Sequence, residues 1–318
     1  MKNFFSVHDV NNIDELVENA LAYKQYPLKD RQLGEGKRIG LLFLNSSLRT
    51  RLSTQIAARN LGMEPIVFNM DKEGWAMEFE DGAVMNGTTV EHIKDAALVL
   101  GQYFDVLCLR TFPGLKNREE DYSEKVFRNL MQYAGIPLVS MESATLHPLQ
   151  SLADLITMKE TFSGNHKPKV VLTWAPHVKA LPQAVSNSFA QWVNAWDKAD
   201  FVITHPEGFE LKEEFTKGAT ILHNQMEALA DADFVYVKNW SSYQDYGKVK
   251  NDADDWMLSP EKLKGTRQAK VMHCLPVRRN VELSDAVLDS AESLVNRQAG
   301  NRVWAAQAVI AAILKNQF

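Results

Sequence analysis

The sequence predicts an α/β protein built as two domains, each around a doubly wound parallel sheet. Three observations carry that prediction. Short apolar runs of strand length recur along the whole chain. Patterns of helical period separate them, which is how strands laid parallel through helical crossovers read. At 318 residues the chain is long enough for two cores.

The first series of predicted strands is 38–44, 65–69, 105–110 and 137–141. Ile39-Gly-Leu-Leu-Phe-Leu44 has the length and content of a strand buried on both faces. Amphipathic helices are predicted at 50–61, 91–102, 123–134 and 148–163. The polar stretch Ser163-Gly-Asn-His-Lys-Pro-Lys169 ends the last of these and is the best break between domains. A second series of strands follows at 169–174, 200–204, 219–222, 233–238 and 269–273, with helices at 181–195 and 224–230. The final helix, 301–316, has no strand after it and is expected to pack back on the first domain. Two stretches read as irregular. Residues 71–90 hold three glycines and Trp75, and long loops in compact domains are often functional. Residues 239–259 are rich in Asn, Asp, Ser and Tyr.

Composition narrows the function. With 35 basic and 40 acidic residues the net charge is −5, which argues against bulk nucleic-acid binding. No apolar run approaches the roughly 18 residues of a membrane span, and Met1-Lys-Asn-Phe-Phe-Ser6 lacks the apolar core of a signal peptide. Two cysteines, Cys108 and Cys274, form no disulfide framework. A reduced, cytoplasmic protein is expected. None of the eight histidines stands in His-x-x-x-His spacing, so no metal site is expected. The absence of Gly-x-Gly-x-x-Gly and Gly-x-x-x-x-Gly-Lys argues against dinucleotide and P-loop enzymes.

Polar clusters recur at predicted strand ends, where open α/β sheets bind ligands. Ser47-Leu-Arg-Thr-Arg51 follows the first strand and opens a helix. Unpaired amides of the first turn, the helix dipole and two guanidiniums there favour a phosphate or a similar dianion. Arg110 closes the third strand, Glu142 follows the fourth, and His147-Pro-Leu-Gln150 opens the next helix. His177 follows strand 169–174, Lys238 closes strand 233–238, and His273-Cys-Leu-Pro276 closes strand 269–273, with Arg278 just beyond. Arg302 is expected to open the last helix. Taken singly, each has a plainer reading: Cys274 as a small buried apolar residue, Glu91 as the partner of Thr88 in a capping box.

Together, Ser47-Leu-Arg-Thr-Arg51, Arg110, His147-Pro-Leu-Gln150, His273-Cys-Leu-Pro276 and Arg302 resemble the ordered signature of the aspartate and ornithine carbamoyltransferases. The resemblance runs through the whole chain. It implies a carbamoyl phosphate-binding domain at 1–147, completed by the C-terminal helix 301–318, and an amine-binding domain at 148–300. It implies a homotrimer with active sites shared between subunits, and no cofactor. Ser47, the amide of Leu48, Arg49 and Thr50 would hold the phosphate, with Arg302 adding positive charge. Arg110, His147 and Gln150 would hold the carbamoyl group. Cys274 and the backbone near Leu275 would lie beside the attacking amine, and Trp75 would reach in from the neighbouring subunit. Arg110, His147 and Cys274 are the residues expected to act in catalysis.

The resemblance also narrows the amine. Ordinary ornithine enzymes carry Asp-x-x-x-Ser-Met-Gly at the strand corresponding to 233–238, and its aspartate holds the free ammonium of ornithine. This chain reads Val237-Lys-Asn-Trp-Ser-Ser242. A lysine repels an ammonium and accepts no hydrogen bond, but it suits a carboxylate or an acyl oxygen. The expected substrate is an N-acylated ornithine, with Glu142, His177, Lys238, Arg278 and Glu91 around it. Within that branch the chain as a whole resembles the N-succinylornithine enzymes most. Glu91 instead resembles the acetyl enzymes, where succinyl enzymes carry proline, while Glu282 stands where acetyl enzymes carry lysine. If Glu91 faces Arg278 it would repel a succinyl carboxylate. A putrescine carbamoyltransferase would leave Lys238 and Arg278 without a carboxylate to bind. A non-catalytic anion-binding homologue need not keep Arg49, Arg110, His147 and Arg302.

Overall fold

The computed structural model describes residues 1–249 and 254–316. The chain divides into two compact units. One comprises Met1–Gly114, Glu119–Leu149 and the stretch from Arg302 onward; the other comprises Leu115–Arg118 and Gln150–Asn301. Both are α/β, and every strand pairing within their sheets is parallel.

In the first unit the strands are β1 (Arg38–Phe43), β2 (Glu64–Asn69), the short β3 (Met77–Glu78) and β4 (Glu91–His92), then β5 (Val106–Arg110) and β6 (Leu138–Glu142). The main sheet has the order β2-β1-β5-β6. The chain thus winds outward from β1 to one edge and returns to β1's other side. The carboxyl ends of β1 and β5 form the switch point, where such sheets bind ligands. There Phe43 is in register with Arg110. β1 is buried from Ile39 on and β5 throughout, so their apolar runs were readable without alternation. Helices Leu48–Asn60, Ile93–Tyr103 and Lys125–Tyr133 cover the sheet. A side chain at Gly101 would put its Cβ 2.0 Å from the carbonyl oxygen of Ala134, so this helix crossing requires glycine.

The second unit holds β7 (Lys169–Trp174), β8 (Asp200–Thr204), β9 (Thr220–Leu222), β10 (Phe234–Lys238) and β11 (Lys270–Met272), in the order β11-β10-β7-β8-β9. Its switch point lies between β7 and β10, where Trp174 is in register with Lys238. The polar stretch 163–169 lies inside this unit as the turn into β7.

Several sequence expectations need correction. The helix Ile13–Gln25, capped by the Asn12 side chain on the Glu15 amide at 3.1 Å, was not anticipated. The stretch 71–90 is not wholly irregular, because β3 pairs with β4. Glu91 therefore lies in a strand, and the helix after it is capped by the His92 side chain, not by a Thr88 capping box. The last helix begins at Val295, so Arg302 stands two turns inside it. Gln298 and Asn301 are buried and hydrogen-bonded, which lets a helix run through them. Of the predicted 239–259 loop and the 301–318 helix, residues 250–253 and 317–318 lie outside the described residues.

Candidate active site

The first cluster grows from the β1 switch point. Ser47 has extended backbone and caps the helix Leu48–Asn60, its Oγ accepting from the Thr50 amide at 3.3 Å. That leaves the amides of Leu48 and Arg49 at the head of a 13-residue helix, an anion-favouring position. The Leu48 side chain is exposed, so what that residue offers a ligand is its backbone. Thr50 is buried, and its hydroxyl receives Arg302 Nη2 at 2.5 Å and Arg110 Nη1 at 3.4 Å. Arg110 also pairs with Glu142. Two buried guanidiniums against one carboxylate leave this pocket positive, with Arg49 half-exposed beside it.

His147 completes the cluster. It is 4% exposed, with Nε2 3.4 Å from Arg302 Nη2 and 3.5 Å from Glu142 Oε2. Burial first, then the charges of Arg302 and Arg110, push its pKa well below the ordinary histidine range, so the imidazole is neutral. An arginine can only donate, so Nε2 accepts and the proton sits on Nδ1. His147 Nδ1 and Arg110 Nε are both buried without a protein partner. Such orphaned donors cost about 1–3 kcal/mol each, a cost that an incoming carbonyl oxygen would relieve. The turn that delivers His147 is fixed by Glu124. Its Oε1 accepts from Ser143 Oγ at 2.6 Å and from the Thr145 amide at 2.7 Å.

The second cluster sits at the carboxyl edge of the other sheet. Lys238 is 7% exposed at the end of β10. His273 is fully buried; its Nδ1 accepts from the Leu275 amide at 3.0 Å, which assigns the proton to Nε2, 3.2 Å from Glu282 Oε1. Glu282 also accepts from the Arg278 amide at 2.8 Å. Burial raises the Glu282 carboxyl's pKa, but the His273 hydrogen bond, the Lys238 charge and the Arg278 amide outweigh it and hold it at about 2. Arg278 Nε donates to His177 Nε2 at 3.1 Å. Cys274 is buried and forms no disulfide, next to the left-handed Leu275. Gln150 donates to Asp154 at 2.8 Å, and Asp154 also receives Gln298 at 2.7 Å. Gln298 in turn accepts from the His273 amide at 2.9 Å.

Comparison with known proteins decides what these clusters belong to. Residues 2–160 match the family described as aspartate/ornithine carbamoyltransferase, carbamoyl-P binding domain, and residues 183–313 match its Asp/Orn binding domain. The chain belongs to this family. It is 44% identical to an N-succinylornithine carbamoyltransferase of Bacteroides fragilis (strain 638R) over 99% of each chain. It is 31% identical to an N-acetylornithine carbamoyltransferase of Xanthomonas campestris pv. campestris over 99% of this chain and 98% of that one. A solved N-acetyl-L-ornithine transcarbamylase, a glutamate-to-proline variant complexed with carbamyl phosphate and N-succinyl-L-norvaline, superposes with a TM-score of 0.91. The two are 31% identical over 98% of this chain and 100% of that one.

Set against the carbamoyltransferase signature, the residues divide between the two units. Ser47, Leu48, Arg49, Thr50, Arg110, His147 and Arg302 come together in the first. Glu142, expected around the acylated amine, sits with them as the partner of Arg110. Gln150, His177, Lys238, Cys274, Leu275 and Arg278 lie in the second. Trp75 is 56% exposed, and its indole donates to Glu91 at 2.8 Å. The Glu91 carboxylate is thus engaged within its own unit. Glu124 and Gln298 escaped the sequence reading, because they act on turn and strand ends far from them in sequence and carry no local motif.

The Glu282 carboxyl makes a pH prediction. Its folded pKa of about 2 lies below the usual 4.5. Its stabilising contribution is therefore full above pH ~4.5 and is lost as pH falls toward ~2. Wild-type Tm should drop more steeply between those values than that of Glu282→Gln; parallel Tm curves would contradict the assignment.

Proposed function

We propose that this chain is an N-acylornithine carbamoyltransferase. It transfers the carbamoyl group of carbamoyl phosphate to the δ-amine of N-succinyl-L-ornithine or N-acetyl-L-ornithine, giving N-acylcitrulline and phosphate. The observation that carries the reading is Lys238, a buried cation at the end of β10. A free α-ammonium is repelled there, while an acylated one presents oxygens that the lysine can bind.

Phosphate is held by the Ser47–Thr50 turn and Arg49, with Arg302 alongside. Arg110 Nε and His147 Nδ1 donate to the carbamoyl oxygen. As the amine nitrogen bonds to the carbamoyl carbon, that oxygen gains charge, and fixed donors lower the barrier. The carbon–oxygen bond to phosphate then breaks, phosphate leaves with the bonding electrons, and the amine sheds its proton. The substrate amine is the nucleophile and must attack in its neutral form. Cys274 and the Leu275 backbone lie beside the amine, and Gln150 orients the carbamoyl nitrogen. His177, Lys238 and Arg278 hold the acyl amino acid. The enzyme is read as a cytoplasmic homotrimer acting in arginine biosynthesis. Incubation with carbamoyl phosphate and each acylated ornithine should yield one phosphate per N-acylcitrulline; phosphate release without the ureido product would refute the reading.

The Trp75 loop is read as completing a neighbouring subunit's site. Mixing Trp75→Ala with Arg110→Ala should restore activity that neither variant has alone, because some sites in reassorted trimers receive both intact halves. No recovery after verified subunit exchange would sink the sharing.

Glu91 is read as the acyl selector. Its negative charge disfavours a succinyl carboxylate, and like charges in a desolvated site cost several kcal/mol, roughly a hundredfold or more in preference. A solved relative with a glutamate-to-proline change is complexed with N-succinyl-L-norvaline, and Glu91 is taken as the corresponding glutamate on this reading. Glu91→Pro should move the ratio of kcat/KM values toward N-succinylornithine. An unchanged ratio in both Glu91→Pro and Glu91→Gln would return the chain to a plain succinylornithine enzyme.

A further inference from the structure

We infer that the second unit carries a binding site for a divalent transition-metal ion of the zinc class, formed by His205, Glu210 and His223 at the outer carboxyl edge of its sheet. Nothing in the carbamoyltransfer reading uses these residues, and the inference stands independently of it. β8 and β9 run parallel with Thr204 in register with Leu222, so the next residue of each strand, His205 and His223, emerges side by side. A ring nitrogen of each and a carboxylate oxygen of Glu210 all lie within 4.8 Å of one another. Two imidazoles and one carboxylate form a familiar three-ligand zinc set, with a fourth position left for water.

The surroundings prepare the rings. His205 Nδ1 lies 2.9 Å from the Pro206 carbonyl oxygen, and His223 Nδ1 lies 3.1 Å from the His205 carbonyl oxygen. A carbonyl only accepts, so both protons sit on Nδ1 and both Nε2 lone pairs are available. Fixing the tautomer through the far nitrogen is how metal-binding histidines are oriented. The Gly208 amide donates to Glu210 Oε1 at 3.1 Å, which holds the carboxylate in place. His205 is buried and packs edge-on to Trp240, whose indole is anchored to the Phe209 carbonyl at 2.8 Å. One ligand is thus rigid, while His223 and Glu210 are exposed, and small side-chain shifts would bring the three to zinc bond lengths of roughly 2.0–2.2 Å. Sequence spacing hid the site, because the pairing of β8 and β9 joins histidines 18 residues apart. The ion would tie the ends of two neighbouring strands.

The test uses the full-length protein stripped with a chelator, titrated with zinc by calorimetry and with cobalt by absorbance. One ion per chain should bind at micromolar or lower concentration and raise Tm by mass action. Glu210→Gln should weaken binding at least tenfold and His223→Ala at least a hundredfold, while both variants melt like wild type in chelator. The cobalt spectrum should be that of nitrogen and oxygen ligands, without the thiolate band that Cys274 would give. Zinc uptake only above 100-fold higher concentration, undiminished uptake in His223→Ala, or a thiolate band would each overturn the site.

Discussion

Arg110→Leu is expected to lower kcat/KM by roughly 10³-fold or more and to destabilise the first unit at the same time. The two effects have different origins. Losing a fixed donor to a developing oxyanion costs roughly 10²–10³-fold in rate, and the lost positive charge beside the phosphate adds to this. The stability loss comes from Glu142, which is buried and paired with Arg110. Removing one member of a buried pair strands the other, at about 3–5 kcal/mol. The double variant Arg110→Leu/Glu142→Gln should therefore recover most of the lost Tm and none of the lost rate. Recovery of both would make Arg110 a structural residue only; recovery of neither would mean that Glu142 is not what the guanidinium neutralises.

The second large effect is at Lys238. Lys238→Met should cut kcat/KM for the acylated amine roughly 10²-fold or more, the loss of a charge-assisted bond in a desolvated place. Saturation by carbamoyl phosphate should change little, since the proposed phosphate cluster lies in the first unit. Lys238 also helps keep Glu282 ionised. The variant's Glu282 should titrate at a higher pH, visible as a Tm curve that falls earlier on the acid side. A variant with wild-type kinetics toward acylornithine would remove Lys238 from the substrate.

Much of this was legible because the decisive features are local. β1, β5, β7 and β10 are continuous apolar runs that end in a charged or aromatic residue, and parallel topology then places those ends at the two switch points. The helix start at Ser47 was readable for the same reason, since Ser47 caps the helix Leu48–Asn60. What escaped was non-local. Arg302 looked like a helix start because its polar neighbours are satisfied by residues more than a hundred positions away, Asn301 by Thr157 and Gln298 by Asp154. Glu91 looked like a cap because a capping box is a four-residue pattern, whereas the strand pairing that claims it joins Glu91 to Met77 across the loop. The pairing of Glu142 with Arg110 needs β5 beside β6, with its register shift at Leu109/Arg110, and no motif announces that.

On this reading the α-nitrogen of the substrate is acylated. The measurement that bears on it most directly is carbamoyl transfer by the wild-type protein to ornithine, N-acetylornithine, N-succinylornithine and putrescine, with kcat/KM determined for each under one set of conditions. A buried lysine facing an ammonium in place of an acyl oxygen should separate the substrates by several kcal/mol, so at least one acylated ornithine should exceed both ornithine and putrescine by roughly 10³-fold. Ornithine or putrescine turned over as well as the better acylated substrate would contradict this assignment.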